Sequence, residues 1–111
     1  MEYINNVFTL GMLKNPADAS CVRFVHLSKK DAACWVQKGV WHSVVGHEDT
    51  AAITSKELGA VIPFNRQTLL IEKGDEVLVT QYIGPRLPEG STQLPDGAKF
   101  EYFLVLIRDI F

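Results

Sequence analysis

Val40-Trp41-His42-Ser43-Val44-Val45-Gly46-His47-Glu48-Asp49-Thr50-Ala51-Ala52-Ile53-Thr54-Ser55-Lys56-Glu57-Leu58 decides how this chain folds. A β-branched apolar run stops at a glycine and hands over to a helical segment, which Gly59 then closes. A strand that feeds directly into a helix is the unit of a sheet covered by helices. The junction carries His47, a group that titrates near neutral pH beside a row of free backbone N–H donors. Those donors and the helix dipole favour an anion, so Gly46-His47-Glu48 points first to phosphate chemistry.

Working outward, residues 3–10 read as a first strand, interrupted by Asn5-Asn6 and ending at Gly11. Residues 21–27 are β-branched and partly alternating, which predicts a second strand. Ser28 is a good N-cap with Asp31 at the third helical position, so a helix should run to about Gln37 and stop at Gly39. Residues 40–45 then form a third strand and residues 49–58 a second helix. Residues 68–72 and 76–83 flank a Lys73-Gly74-Asp75 turn and read as a hairpin. Gly84, Pro85, Pro88 and Gly90 prevent further strand, and the chain stays a loop through Pro95-Asp96-Gly97. Residues 100–107 are apolar on both faces, as in a strand buried on both sides. The expected architecture is one α+β domain over 1–111, a mixed sheet flanked by helices in the order β-β-α-β-α-β-β-β.

Composition narrows the function. The 111 residues are 47% hydrophobic and 22% charged, the profile of a globular domain with a sustainable core. No apolar run reaches the roughly 18 residues of a membrane span, and the first residues lack a signal-peptide pattern, so a cytoplasmic protein without membrane contact is expected. Cys21 and Cys34 form no CxxC pair and read as reduced thiols. The formal charge of −2 argues against a long nucleic-acid partner; a phosphate ligand should be small and met by a few placed cations.

Four places offer polar chemistry: Asn6 to Thr9, Gly46-His47-Glu48, Asn65-Arg66, and Arg86 with Glu89 in the Pro/Gly-bounded loop. Each also has an ordinary structural role as a cap, turn residue or solvated charge. Glu48 and Asp49 suit a helix N-terminus, and His26 and His42 fall inside strands. The three histidines have no paired spacing and the cysteines stand 13 positions apart, so neither a metal nor another cofactor is expected.

In combination these segments become specific. Asn6-Val7-Phe8-Thr9 with Met12-Leu13, Val45-Gly46-His47-Glu48-Asp49-Thr50, Asn65-Arg66, Glu72-Lys73-Gly74-Asp75-Glu76 and Arg86-Leu87-Pro88-Glu89-Gly90 occur in that order over nearly the whole chain. The chain thereby resembles the viral type III anti-CRISPR ring nucleases and their cellular CRISPR-associated relatives. That resemblance implies a small homodimer that degrades cyclic tetra-adenylate without a metal. It implies His47 as the catalytic histidine, Arg66, Arg86 and Glu89 as ligand-handling positions, and Asn6 and Thr9 as polar strand-end contacts. Two departures stand out. Gly11 replaces the polar residue, often Asn, that precedes the Met-Leu pair, and Pro95 and Gly97 deny residues 91–99 the short helix the family places there.

The expected chemistry uses the substrate's own 2′-hydroxyl as nucleophile. His47 acts as general acid toward the departing 5′-oxygen, Arg66 or Arg86 holds phosphate oxygens, and Glu89 orients Arg86 or His47 or contacts a ribose. A ring of four nucleotides has approximate two-fold symmetry, which a two-fold dimer matches. Two rival functions remain at this stage: a sponge that sequesters a cyclic oligonucleotide uncut, and a small interaction protein with no nucleotide ligand.

Overall fold

The computed structural model describes residues 1–15 and 20–109. Its strands are β1 (Glu2–Asn5), β2 (Ser20–Leu27), β3 (His42–Ser43), β4 (Glu76–Ile83) and β5 (Lys99–Asp109), and its helices are α1 (Lys29–Gln37) and α2 (Glu48–Leu58). The strands form one mixed sheet in the order β2-β5-β4-β1-β3, the α+β architecture the sequence predicts. β1 runs parallel to both neighbours, with Ile4 opposite Ser43 on one side and Leu78 on the other. β5 is antiparallel to β4 and β2.

Local chemistry sets the helix ends. The Ser28 hydroxyl accepts the Asp31 N–H at 3.1 Å and starts α1. Gly59, at φ 69°, takes the left-handed conformation that ends α2, its N–H donating to the Ser55 carbonyl at 2.9 Å. Both helices cover the same face of the sheet. Ala32, Trp35 and Val36 of α1 and Ala51, Ile53 and Leu58 of α2 pack on Ile4, Leu78, Phe100 and Tyr102. Burial pushes the Tyr102 phenol up to about 12, with Glu57 adding to the shift. The opposite face is covered by non-strand chain: Phe8, Met12, Leu13, Leu69 and Ile71 lie against Val77, Val79, Val105 and Ile107. β5 therefore contributes to both cores, as its two-sided apolar pattern predicts.

Three sequence expectations need correction. The first strand stops at Asn5, where the Asn5 side chain accepts the Asn6 N–H at 2.9 Å and turns the chain; residues 10–12 form a single 3₁₀ turn. The third strand is only His42–Ser43, because beyond it the chain leaves β1 and Val45 bridges Phe64 instead. Residues 68–72 form no strand and no hairpin. Both edges of β4 are already taken, by β1 and β5, so the segment lies over the second face and Ile71 bridges Leu13. The order is accordingly β-β-α-β-α-β-β, with the Lys73-Gly74-Asp75 turn kept by the Asp75 N–H donating to the Glu72 carbonyl.

Thr54 of α2 is fully buried, and its hydroxyl has no hydrogen-bond partner. Thr54→Val keeps the branched shape and removes the unpaired polar atom, so the unfolding free energy in urea should rise by about 1 kcal/mol. A clear loss of stability would show that the hydroxyl is paired in solution.

Candidate functional site

Because β3, β1 and β4 run parallel, their C-terminal ends lie on one side of the sheet, and the segments leaving them build the site. Crevices outside the carboxyl ends of parallel strands are where such sheets bind ligands. Asn6 follows β1, Gly46 and His47 follow β3, and residues 84–90 follow β4.

His47 is the N-cap residue of α2: its Nδ1 accepts the Thr50 N–H at 3.3 Å. To accept, Nδ1 must be unprotonated, which assigns the ring proton to Nε2. The Thr50 hydroxyl oxygen lies at the same 3.3 Å from Nδ1. Asn6 fixes the turn from behind, its Oδ1 accepting the Gly46 N–H at 3.3 Å. After α2 the chain returns along the exit of β3. There the Asn65 N–H donates to the Val45 carbonyl and the Asn65 side chain to the Ser43 carbonyl, both at 2.9 Å. This lays the Arg66 stem over Gly46, where a Cβ would sit 3.5 Å from Arg66 Cγ.

On the other side of His47 lies an open cleft of about 740 Å³. The start of α2 contributes His47, Asp49 and Thr50; the end of β4 and its loop contribute Tyr82, Gly84, Arg86, Leu87, Pro88 and Glu89. Leu87 packs that loop against the first core, and three further contacts pin it. Asp49 Oδ2 accepts the Gly90 N–H at 3.2 Å, and the Tyr82 hydroxyl donates to the Pro85 carbonyl at 2.6 Å. Gly84 approaches residue 98 so closely that a Cβ there would stand 2.6 Å from Ala98 Cβ.

Apart from Asp49, the charges of the site are unengaged. Among the described residues, the guanidinium groups of Arg66 and Arg86, the Glu89 carboxylate and His47 Nε2 have no hydrogen-bond or ion-pair partner, and all four residues are exposed. Planar guanidinium forks of this kind suit phosphate or carboxylate oxygens. His26, by contrast, stands 2.6 Å from Glu101 and packs on Phe103, outside the cleft. Among the described residues no three His, Cys, Asp or Glu side chains group as a metal ligand set.

Of the six residues singled out from the sequence, His47, Arg86 and Glu89 line one cleft, and Asn6 and Arg66 meet at Gly46 beside it. Thr9 does not line the cleft; it precedes the 3₁₀ turn, and its side chain makes no cap bond. Asp49, Thr50 and Tyr82 belong to the cleft and were not singled out. Asp49 was read as suited to a helix N-terminus, Thr50 entered only as part of the Val45–Thr50 segment of the resemblance, and Tyr82 fell within a predicted strand.

The family model for STIV B116-like proteins matches residues 2–102. The chain belongs to the STIV B116-like family. Its fold is similar to that of B116 of Sulfolobus turreted icosahedral virus, with a TM-score of 0.77 and 24% sequence identity over 95% of this chain and 97% of that one. No curated protein matches the chain.

The Asp49–Gly90 contact ties the Arg86–Glu89 loop to the helix that carries His47. Asp49→Ala should speed amide exchange at Gly90 by about tenfold and lower the unfolding free energy by about 1 kcal/mol, while Asp49→Asn, which retains an acceptor oxygen, stays near wild type. Unchanged exchange at Gly90 in the alanine variant would rule out the latch.

Proposed function

We propose that this protein is a ring nuclease that binds cyclic tetra-adenylate and cleaves it without a metal, shutting off type III CRISPR signalling. The observation that carries the reading is the cleft itself: an imidazole with a free Nε2–H, an unpaired guanidinium and an unpaired carboxylate at the ends of parallel strands. The order of these residues along the chain supports the same reading, through the resemblance noted from sequence.

In the proposed reaction a ribose 2′-oxygen attacks its own 3′-phosphorus and the bond from phosphorus to the 5′-oxygen breaks. The electron pair leaves with the 5′-oxygen, which takes the Nε2 proton of His47 in its imidazolium form. The 2′-hydroxyl proton passes to Glu89, whose carboxylate, unlike that of Asp49, has no partner in the cleft among the described residues. Arg86, and Arg66 from beyond Gly46, neutralise the phosphate oxygens as charge builds. The products are linear adenylates with 5′-hydroxyl and 2′,3′-cyclic phosphate ends.

Charge balance favours a two-fold homodimer for this task. One chain offers two unpaired arginines at the site, and the ring carries four phosphates. A second copy supplies the other two arginines and a second His47 for the opposite linkage. In this way an acidic chain builds a locally basic pocket.

The cap bond to His47 gives one rival its footing. A histidine that does nothing except start a helix would leave the arginines to sequester the ring uncut. Asn is as good a cap acceptor and has no transferable proton, so His47→Asn separates the two roles where His47→Ala removes both. Single-turnover cleavage of cyclic tetra-adenylate should fall by roughly 10²–10⁴-fold in His47→Asn, with ring binding and stability near wild type. Retained cleavage in that variant would reject the acid assignment, and intact ring recovered from the wild-type complex would establish the sponge.

A further inference from the structure

We infer that Thr50 is the positioning residue of the His47 acid, its hydroxyl serving as the acceptor that holds the ring whenever Nδ1 carries a proton. The inference rests on the proposed cleavage reaction and extends it to a residue that neither sequence nor comparison assigns a role.

The argument starts from a conflict at one nitrogen. In the resting protein Nδ1 of His47 accepts the Thr50 N–H at 3.3 Å, which caps α2. A neutral imidazole in that state holds its one proton on Nε2, and giving it up would leave an imidazolate, far too costly an intermediate for an acid. To act, His47 must first be protonated on both nitrogens, and Nδ1 then turns from acceptor to donor. After Nε2 delivers its proton to the 5′-oxygen, the neutral ring that remains is the Nδ1–H tautomer. In both working states the backbone N–H of Thr50 faces another N–H and is useless as a partner.

The Thr50 hydroxyl resolves this without moving the ring. Its oxygen lies 3.3 Å from Nδ1 and can donate to the bare nitrogen or accept from the protonated one by rotating about the Cβ–Oγ1 bond. Thr50 is only 6% exposed, so water has poor access to replace it on that side. Asp49 from α2 and Arg86 and Glu89 from the loop after β4 line the cleft with the ring, Glu48 follows it in the first turn of α2, and the Arg66 stem lies over the adjacent Gly46. Tyr82 of β4 lines the same cleft. Among the described residues none of these is hydrogen-bonded to Nδ1, so Thr50 alone follows the proton count there.

Thr50→Val keeps shape and backbone and deletes the acceptor. Its loss penalises the two Nδ1–H states more than the resting state, which retains the backbone N–H. The single-turnover rate should therefore fall about tenfold, the order expected for one hydrogen bond to a charged group, and the alkaline decline of the rate should move to lower pH. Ring affinity should change less than about threefold, because the hydroxyl removed is directed at Nδ1 and Thr50 is largely buried. Thr50→Ser should restore both the rate and the pH profile. A Thr50→Val enzyme with the wild-type rate and pH profile would overturn the inference while leaving the proposed function intact. Full cleavage by His47→Asn would instead overturn the function on which it rests. Should Thr50→Val fold poorly, nitrogen-15 NMR of the wild-type protein decides: a slowly exchanging Nδ1–H in the imidazolium form supports the inference, and one exchanging freely with water refutes it.

Discussion

The insertion of β1 between β3 and β4, parallel to both, is the constraint on which the rest of this molecule depends. β1 has four residues, yet Ile4 is fully buried and Asn5 nearly so, and every segment that leaves its side of the sheet meets the others. Parallel strands cannot be joined by tight turns, so the chain between β1 and β3 makes a long excursion through β2 and α1. The return is convergence. Were β4 antiparallel to β1, its eight residues would carry residues 84–90 to the other end of the sheet, roughly 25 Å from His47. Arg86 and Glu89 share a cleft with His47 because strand direction leaves them nowhere else to go.

At the centre of that convergence one imidazole serves both fold and site. An N-cap must offer an acceptor to the first turn, whereas an acid must be able to carry a second proton. These demands fall on Nδ1 and are opposed in sign, since protonation there destroys the acceptor. In the proposed reaction the cap bond from the Thr50 N–H is therefore given up whenever Nδ1 carries a proton.

Much of this was legible from the sequence where the information is local. Ser28, Gly59 and the two-sided apolar run of β5 each act within a few residues, and the elements they mark appear where expected. Leu69-Leu70-Ile71 shows where local reading fails. Its alternation is real, with Leu69 and Ile71 buried and Leu70 exposed, but an extended segment laid on a sheet face satisfies that pattern as well as a hairpin strand does. The choice depends on whether β4 has a free edge, and that is settled by β1, more than seventy positions away in sequence from its partner residues. His47 was legible as a phosphate candidate from its place before a helix. Its meeting with Arg86 and Glu89 was expected from the resemblance and not from any spacing. The hold of Asp49 on Gly90 spans 41 positions and had no signature at all, since an acidic first-turn residue already has a sufficient local explanation.

The parts of the site also differ in how firmly they are held. His47 and Asn6 are fixed to the sheet and to α2 by main-chain contacts, and Arg66 rides on a segment hydrogen-bonded to β3's exit. Arg86 and Glu89 instead are themselves exposed on a loop whose Leu87 and Leu94 pack against the first core, with further attachments from Asp49, Tyr82 and the close approach of Gly84 to Ala98. Local opening free energies track such differences, so the loop can open while the histidine stays in place. In the proposed reaction, a substitution among those attachments would alter access and grip before it altered proton transfer. Residues 91–98 form no helix and belong to the same loop. Under the proposed function, ring recognition would thus be the adjustable part of the site, while His47 is held by the first turn of α2.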